Sequence, residues 1–107
     1  MTIMEAIEQA DKEKPNAIDK ATKERWISAL EGQIRRELQI DSIVETSVLS
    51  VKEPFNIMYP KYLIMRICLE NGELDNYNRA ATIFNYLWKK FAFTTIQKRM
   101  QGRADNG

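Results

Sequence analysis

The sequence predicts an all-α protein: a small bundle of about four helices around a central antiparallel helical hairpin, with a long, β-prone loop between helices 2 and 3. Three observations carry this. Residues Tyr62, Leu63, Ile64, Met65, Ile67, Cys68 and Leu69 are apolar almost all the way round, as in a buried helix. Leu74, Tyr77, Ala81, Phe84, Leu87, Trp88 and Phe91 recur at steps of three and four. Asn71-Gly72 stands between these runs, and neither flank alternates with period two, so the pair reads as a helix C-cap rather than a β-hairpin turn. So short a turn returns the second helix antiparallel along the first.

The remaining elements follow in order. Residues 1–14 form a short amphipathic helix with Ile3, Ile7 and Ala10 on one face, closed by Pro15-Asn16. A second helix, capped by Asp19 or Thr22, runs to about Leu38, with Trp26, Leu30, Ile34 and Leu38 four apart and Ile27 beside them. On it, Glu31 precedes Arg35 by four residues and reads as a weak pair on an exposed face. Gly32 either admits a neighbouring backbone or is simply tolerated.

Residues 41–58 then form a long loop rich in β-branched and small polar side chains. Any strand there has to pair within the loop or with another copy of the chain. Pro60 fits the first turn of the third helix, where a missing N–H costs nothing. The fourth helix runs from Leu74 to about Met100, and residues 101–107 read as a flexible polar tail. The whole chain, 1–107, is one domain, and a thin one for stability.

Composition narrows function. Sixteen Lys and Arg against fifteen Asp and Glu leave a formal charge of +1, so net charge does not steer the protein toward nucleic acid. No apolar run reaches bilayer length and the first residues lack a signal-peptide pattern, so a soluble, intracellular chain without a membrane partner is expected. The absence of histidine removes the commonest general base and metal ligand, and the four glycines form no phosphate loop. The sequence nominates no catalytic residue, no cofactor and no metal. Glu70, Glu73 and Asp75 at the hairpin turn lack a further ligand group, and Glu73 and Asp75 suit the positive end of the fourth helix. The single cysteine, Cys68, reads as a core residue. Most of the Tyr and Trp residues sit on core-facing stripes, with hydroxyls reaching Asn78 or Asn85. Lys89-Lys90, Lys98-Arg99 and Arg35-Arg36 read as solvated cations.

The order Lys14-Pro15-Asn16, Lys23-x-x-Trp26-Ile27-x-x-Leu30-x-Gly32-x-Ile34, Pro54-Phe55, Tyr59-x-x-Tyr62-Leu63, Asn71-Gly72-Glu73-x-x-x-Tyr77-Asn78 and Phe84-Asn85 resembles the small head-tail connector, or adaptor, proteins of tailed bacteriophages and prophages. The resemblance covers residues 14 to 99 and departs at Arg66-Ile67-Cys68-Leu69 and at Phe93-Thr94-Thr95. It implies a structural virion protein of the head-tail interface, present in the host cytoplasm during assembly. Copies would form a ring below the portal protein, extending the DNA conduit and supporting a downstream neck or tail-completion protein. DNA would pass through the ring without sequence-specific binding.

Under this reading residues 41–56 are the intersubunit arm, with Ile43, Val44, Val48 and Val51 as oligomer contacts. Residues 97–107 dock on the portal, with Lys98, Arg99 and Arg103 nearest portal or DNA. The alternative is a small helical DNA-binding or regulatory protein using Lys89, Lys90, Lys98 and Arg99.

Overall fold

The computed structural model describes residues 1–39 and 48–106, with side chains as far as residue 102. Its helices are α1 (Ile3–Glu13), α2 (Lys20–Leu38), α3 (Met58–Glu70) and α4 (Leu74–Asn106), with a short 3-10 turn, Phe55–Ile57, leading into α3. The all-α bundle with its helical hairpin is as the sequence predicts.

Each boundary has a local cause. Thr2 accepts from the Glu5 amide at 3.1 Å while the Glu5 carboxylate accepts from the Thr2 amide at 3.0 Å, a capping box that starts α1. Asp19 rather than Thr22 caps α2, accepting from the Thr22 amide at 3.2 Å. At the other end of α2, Gln39 takes a left-handed conformation, φ 51°. The hairpin turn is a Schellman motif. Gly72 has φ 71°, its N–H reaches the Leu69 carbonyl at 3.1 Å, and the Glu73 N–H reaches the Cys68 carbonyl at 2.9 Å. A side chain at Gly72 would be strained by that φ.

α3 is the central element, packed against α1, α2 and α4. The core joins Ala6, Ile7 and Ala10 of α1 and Ile27, Leu30 and Ile34 of α2 to Met58, Tyr59, Leu63 and Ile67 of α3. Cys68 is buried there too. Across the hairpin, Tyr62 meets Phe84 at 5.2 Å between ring centroids. α4 has 33 residues, about 50 Å of helix, which accounts for the 53 Å long axis of the molecule. It therefore overshoots α3. Phe91 packs on Phe55 at 5.7 Å, and further along the Arg99 guanidinium donates to the Leu38 carbonyl at the end of α2.

Three expectations change. Residues 101–106, expected as a flexible tail, continue α4. Gln101, Arg103 and Ala104 are good helix formers, and extending an existing helix costs far less than starting one. The described end of the loop pairs with the N-terminus, a partner not among those expected: Val48 bridges antiparallel to Thr2 and the Leu49 N–H donates to the Met1 carbonyl at 2.9 Å. Gly32 brings no backbone close: the nearest atom to a Cβ placed there is Arg36 Nη1, 3.8 Å away. Gly32→Ala is therefore expected to stabilise the protein by about 0.5–1 kcal/mol, read as a higher urea midpoint with an unchanged m-value.

Candidate functional site

The most developed polar site lies where the long connection rejoins the bundle. Leu49 and Val51 point inward and are buried, with Val48 and Ser50 between and beside them only half-buried. This period-two placement turns the backbone of Ser50 and Val51 toward α2 and α3. Glu31 of α2 meets it. Its carboxylate accepts from the Ser50 N–H at 3.1 and 3.3 Å, from the Ser50 hydroxyl, from the Tyr59 hydroxyl at 2.9 Å and from Arg35 Nε at 3.4 Å. The Tyr59 oxygen in turn accepts from the Val51 N–H at 3.1 Å.

Glu31 is only 9% exposed and Tyr59 fully buried, so the cluster satisfies a carboxylate and two amides that burial would otherwise penalise. Burial also pushes the Tyr59 phenol well above its ordinary range, opposed by the Val51 amide that hydrogen-bonds it. The expected surface pair of Glu31 with Arg35 is thus the outer edge of a buried latch. Likewise the one buried tyrosine hydroxyl reaches Glu31, not an asparagine.

Two further braces hold the α1 end. Lys23, 4% exposed, sets its ammonium against both Asp11 oxygens at 2.8 and 2.9 Å and against Asn16 Oδ1 at 3.2 Å. Asn16 Nδ2 donates to Asp11 and to the Lys14 carbonyl, folding the Pro15 break into a defined corner. Lys14 then reaches Glu73 at the hairpin turn, 2.6 Å away, where Asn76 and Asn71 also donate. Glu73 thus does more than sit at a positive helix end. Lys14's hydrogen bond, with Asn76 and Asn71, holds its carboxyl below the ordinary value of 4.5, and Glu73 raises the Lys14 ammonium above 10.5. On the other side of the bundle, the Arg66 guanidinium lies 4.9 Å from the centre of the Trp26 ring.

The residues singled out for assembly are dispersed. Val51, expected at a subunit contact, is completely buried in the core of its own chain; its N–H is latched to Tyr59, so its side chain is not free for a neighbour. Val48 is half-buried beside Thr2, and Ile43 and Val44 lie outside the described residues. Lys98 is exposed at the rim of a recess with Lys52, Glu53, Pro54 and Phe91. Arg99 is engaged by Leu38, while Arg103 belongs to α4 with its side chain outside the described ones. Cys68 lines a second recess, and burial pushes its thiol up, away from the reactive thiolate.

Sequence reasoning missed two surfaces. One is a set of exposed apolar side chains on the side of α4 facing away from α3, Tyr86, Phe93, Ile96 and Met100, while the exposed Ile83 lines the recess that holds Lys61, Ile64 and Cys68 of α3. Its signal was legible as the seven-residue spacing of Tyr86, Phe93 and Met100. The other is a groove of about 360 Å³ between α1 and the start of α3, lined by Gln9, Lys12, Glu13, Ile57, Pro60 and Lys61. Among the described residues no three acidic or cysteine side chains converge as metal ligands, and no helix is long and apolar enough to cross a membrane. Comparison with family models, with curated proteins and with solved structures found no match.

Tyr59→Phe removes the hydroxyl that joins Glu31 to Val51 while keeping the ring. It is expected to cost about 1–3 kcal/mol in urea unfolding, and to speed hydrogen exchange at the Val51 amide more than at amides in the hairpin. The Lys14–Glu73 brace has a defined pH range. Glu73's contribution is present above 4.5 and lost as pH falls through its lowered folded value; Lys14's is present below 10.5 and lost as pH rises through its raised one. The gap in melting temperature between the wild type and Glu73→Gln is therefore expected to be flat between those limits and to shrink outside them.

Proposed function

We propose that the chain is a structural subunit of the head-tail interface of a tailed bacteriophage or prophage, a connector or adaptor that forms a ring below the portal. One observation carries this reading: residues bearing the family resemblance pair with one another in space, across separations from 7 to 59 positions in the sequence. Lys14 holds Glu73, Asn16 holds Lys23, and Tyr62 stacks on Phe84. Tyr59, from the same set, closes the latch on Glu31. Residues that make one another's contacts form a pattern that a chance run of turn and packing residues does not.

In this reading the bundle is the rigid body of the subunit. The connection that re-enters it at Leu49–Val51 supplies the arm, now restricted to residues before the latch. α4 is the portal-side strut, because its C-terminal half projects beyond α3 and carries Lys98. The ring interacts with portal, with a downstream neck or tail-completion protein and, without reading sequence, with the DNA it encloses. The subunit acts by assembly and performs no catalysis.

A DNA-binding regulator is the second reading, favoured by one feature: α4 carries Arg79, Lys89, Lys90, Lys98 and Arg99 with no acid between Asp75 and Asp105. The two readings separate on one preparation. Mixed with portal-bearing, DNA-filled heads, the protein is expected to add a ring visible by electron microscopy; no association refutes the connector. For DNA alone, weak binding is expected. Tight binding whose logarithm falls with log salt at a slope of about −3 or steeper favours the regulator instead.

A further inference from the structure

We infer that the groove between α2 and α4, floored by α3, is a binding site for a carboxylate carried on a benzene-sized apolar group, with Arg66 taking the carboxylate. The site stands apart from the connector reading, and neither depends on the other.

α2 and α4 each pack on α3 but hardly on one another, so α3 is left showing between them. There Leu30 and Gln33 of α2, Tyr62 of α3 and Phe84, Asn85 and Trp88 of α4 line a cavity of about 150 Å³. A cavity of that size holds benzene. Its three aromatic residues are only half-buried, although each packs against the core. Trp26 precedes Leu30 by one turn of α2 and Arg66 follows Tyr62 by one turn of α3, so the stack of the Arg66 guanidinium on the Trp26 ring, at 4.9 Å, closes one end of the groove.

Arg66 is where the fold leaves hydrogen-bonding capacity unused. Stacking on Trp26 occupies the flat face of the guanidinium and none of its five N–H donors, which lie in its plane. Among the described residues, Arg66 Nε is the one buried side-chain nitrogen or oxygen without a partner, and Arg66 enters none of the ion pairs. The buried Lys23 and Glu31, by contrast, are answered by Asp11 and by Ser50 and Tyr59. No acid compensates Arg66. Glu70, one turn further along α3, is exposed and forms no ion pair with it; Glu37 accepts from Gln33 at 3.1 Å, about three turns of α2 away from Trp26. A guanidinium whose plane is held by a ring and whose fork is empty is preorganised for a carboxylate, which it binds through two parallel hydrogen bonds. One cation beside one small apolar cavity then sets the ligand: a single negative charge about 5 Å, one helical turn, from a ring-sized group. A nucleic-acid strand needs several phosphate contacts, and no lysine lines this cavity.

Trp26 and Trp88 are the chain's two tryptophans, so intrinsic fluorescence reports on this groove. Titrated into the full chain, hydrocinnamate is expected to change that emission saturably with a dissociation constant of about 1 mM, the range for a ligand so small, and the neutral hydrocinnamamide to bind about tenfold more weakly. In Arg66→Gln the acid is expected to lose that tenfold and bind no better than the amide. Comparing acid and amide on the wild type needs no variant, so it decides the matter even where Arg66→Gln does not fold. Equal binding of acid and amide by the wild type, or no saturable binding of the acid, overturns the proposal. So does an oligothymidylate that binds in an Arg66-dependent way while the acid does not, which assigns the groove to nucleic acid. Acetyl-Gly-Phe with a free C-terminus separates the sources of the ligand: tighter binding than hydrocinnamate places the carboxylate on a partner protein, weaker binding on a free aromatic acid, and either result sustains the site.

Discussion

The buried carboxylate of Glu31 is the constraint on which the arrangement of this protein depends. A charge at that depth is costly unless every lone pair is used, and here the amide and hydroxyl of Ser50, the phenol of Tyr59 and the guanidinium of Arg35 use them. Each donor comes from a place that then has to stay put. Ser50 fixes the end of the long connection, Tyr59 fixes the first turn of α3, and Arg35 stays on the last turns of α2. With those three positions fixed, Leu49 and Val51 enter the core and Val48 lies beside the N-terminus, where a chain of isolated helices would have left a free loop.

The same logic places α1. Lys23 is even more buried than Glu31 and is satisfied by Asp11 and Asn16, so the short first helix is held to α2 by a charge that has no better place to go. Lys14 extends the hold to the hairpin turn through Glu73. A domain of this size has little apolar surface to spare, and pairs that lose much when broken give it a single arrangement even where each adds little net stability. Hydrophobic packing supplies the drive toward a compact state; the three polar junctions decide which compact state it is.

What could be read from the sequence divides along sequence distance. The Asn71-Gly72 hairpin was legible because a Schellman turn is written in consecutive residues, and so was the Trp26, Leu30, Ile34, Leu38 face of α2. Glu31 was misread because the visible partner, Arg35, is one turn away, whereas Ser50 and Tyr59 are 19 and 28 residues away. A local rule finds the local partner. Val51 reads as an arm residue for a related reason: β-branched residues in a long connection look alike whether their side chains turn to solvent or into the core, and only the latch decides between them. The polar composition of residues 101–106 looks like a tail only in isolation, because a helix already running into them extends at little cost.

The two faces of α4 show how far periodicity alone reaches. Counting Tyr77, Phe84, Leu87, Trp88 and Phe91 finds the side that covers α3, and a globular monomer would keep the opposite side polar. Here that side carries the exposed Tyr86, Phe93, Ile96 and Met100 among the polar Thr82, Lys89 and Gln97, while the overshooting end of the helix is anchored by Arg99 to the close of α2 rather than left free. A helix so anchored is a rigid surface, and a rigid apolar surface loses less ordering entropy on contact than a mobile one. The latch at Glu31 and the exposed apolar side chains of α4 are therefore complementary: the first uses polar groups to fix the chain's shape, and the second presents, on that fixed shape, apolar area that the chain's own core does not need.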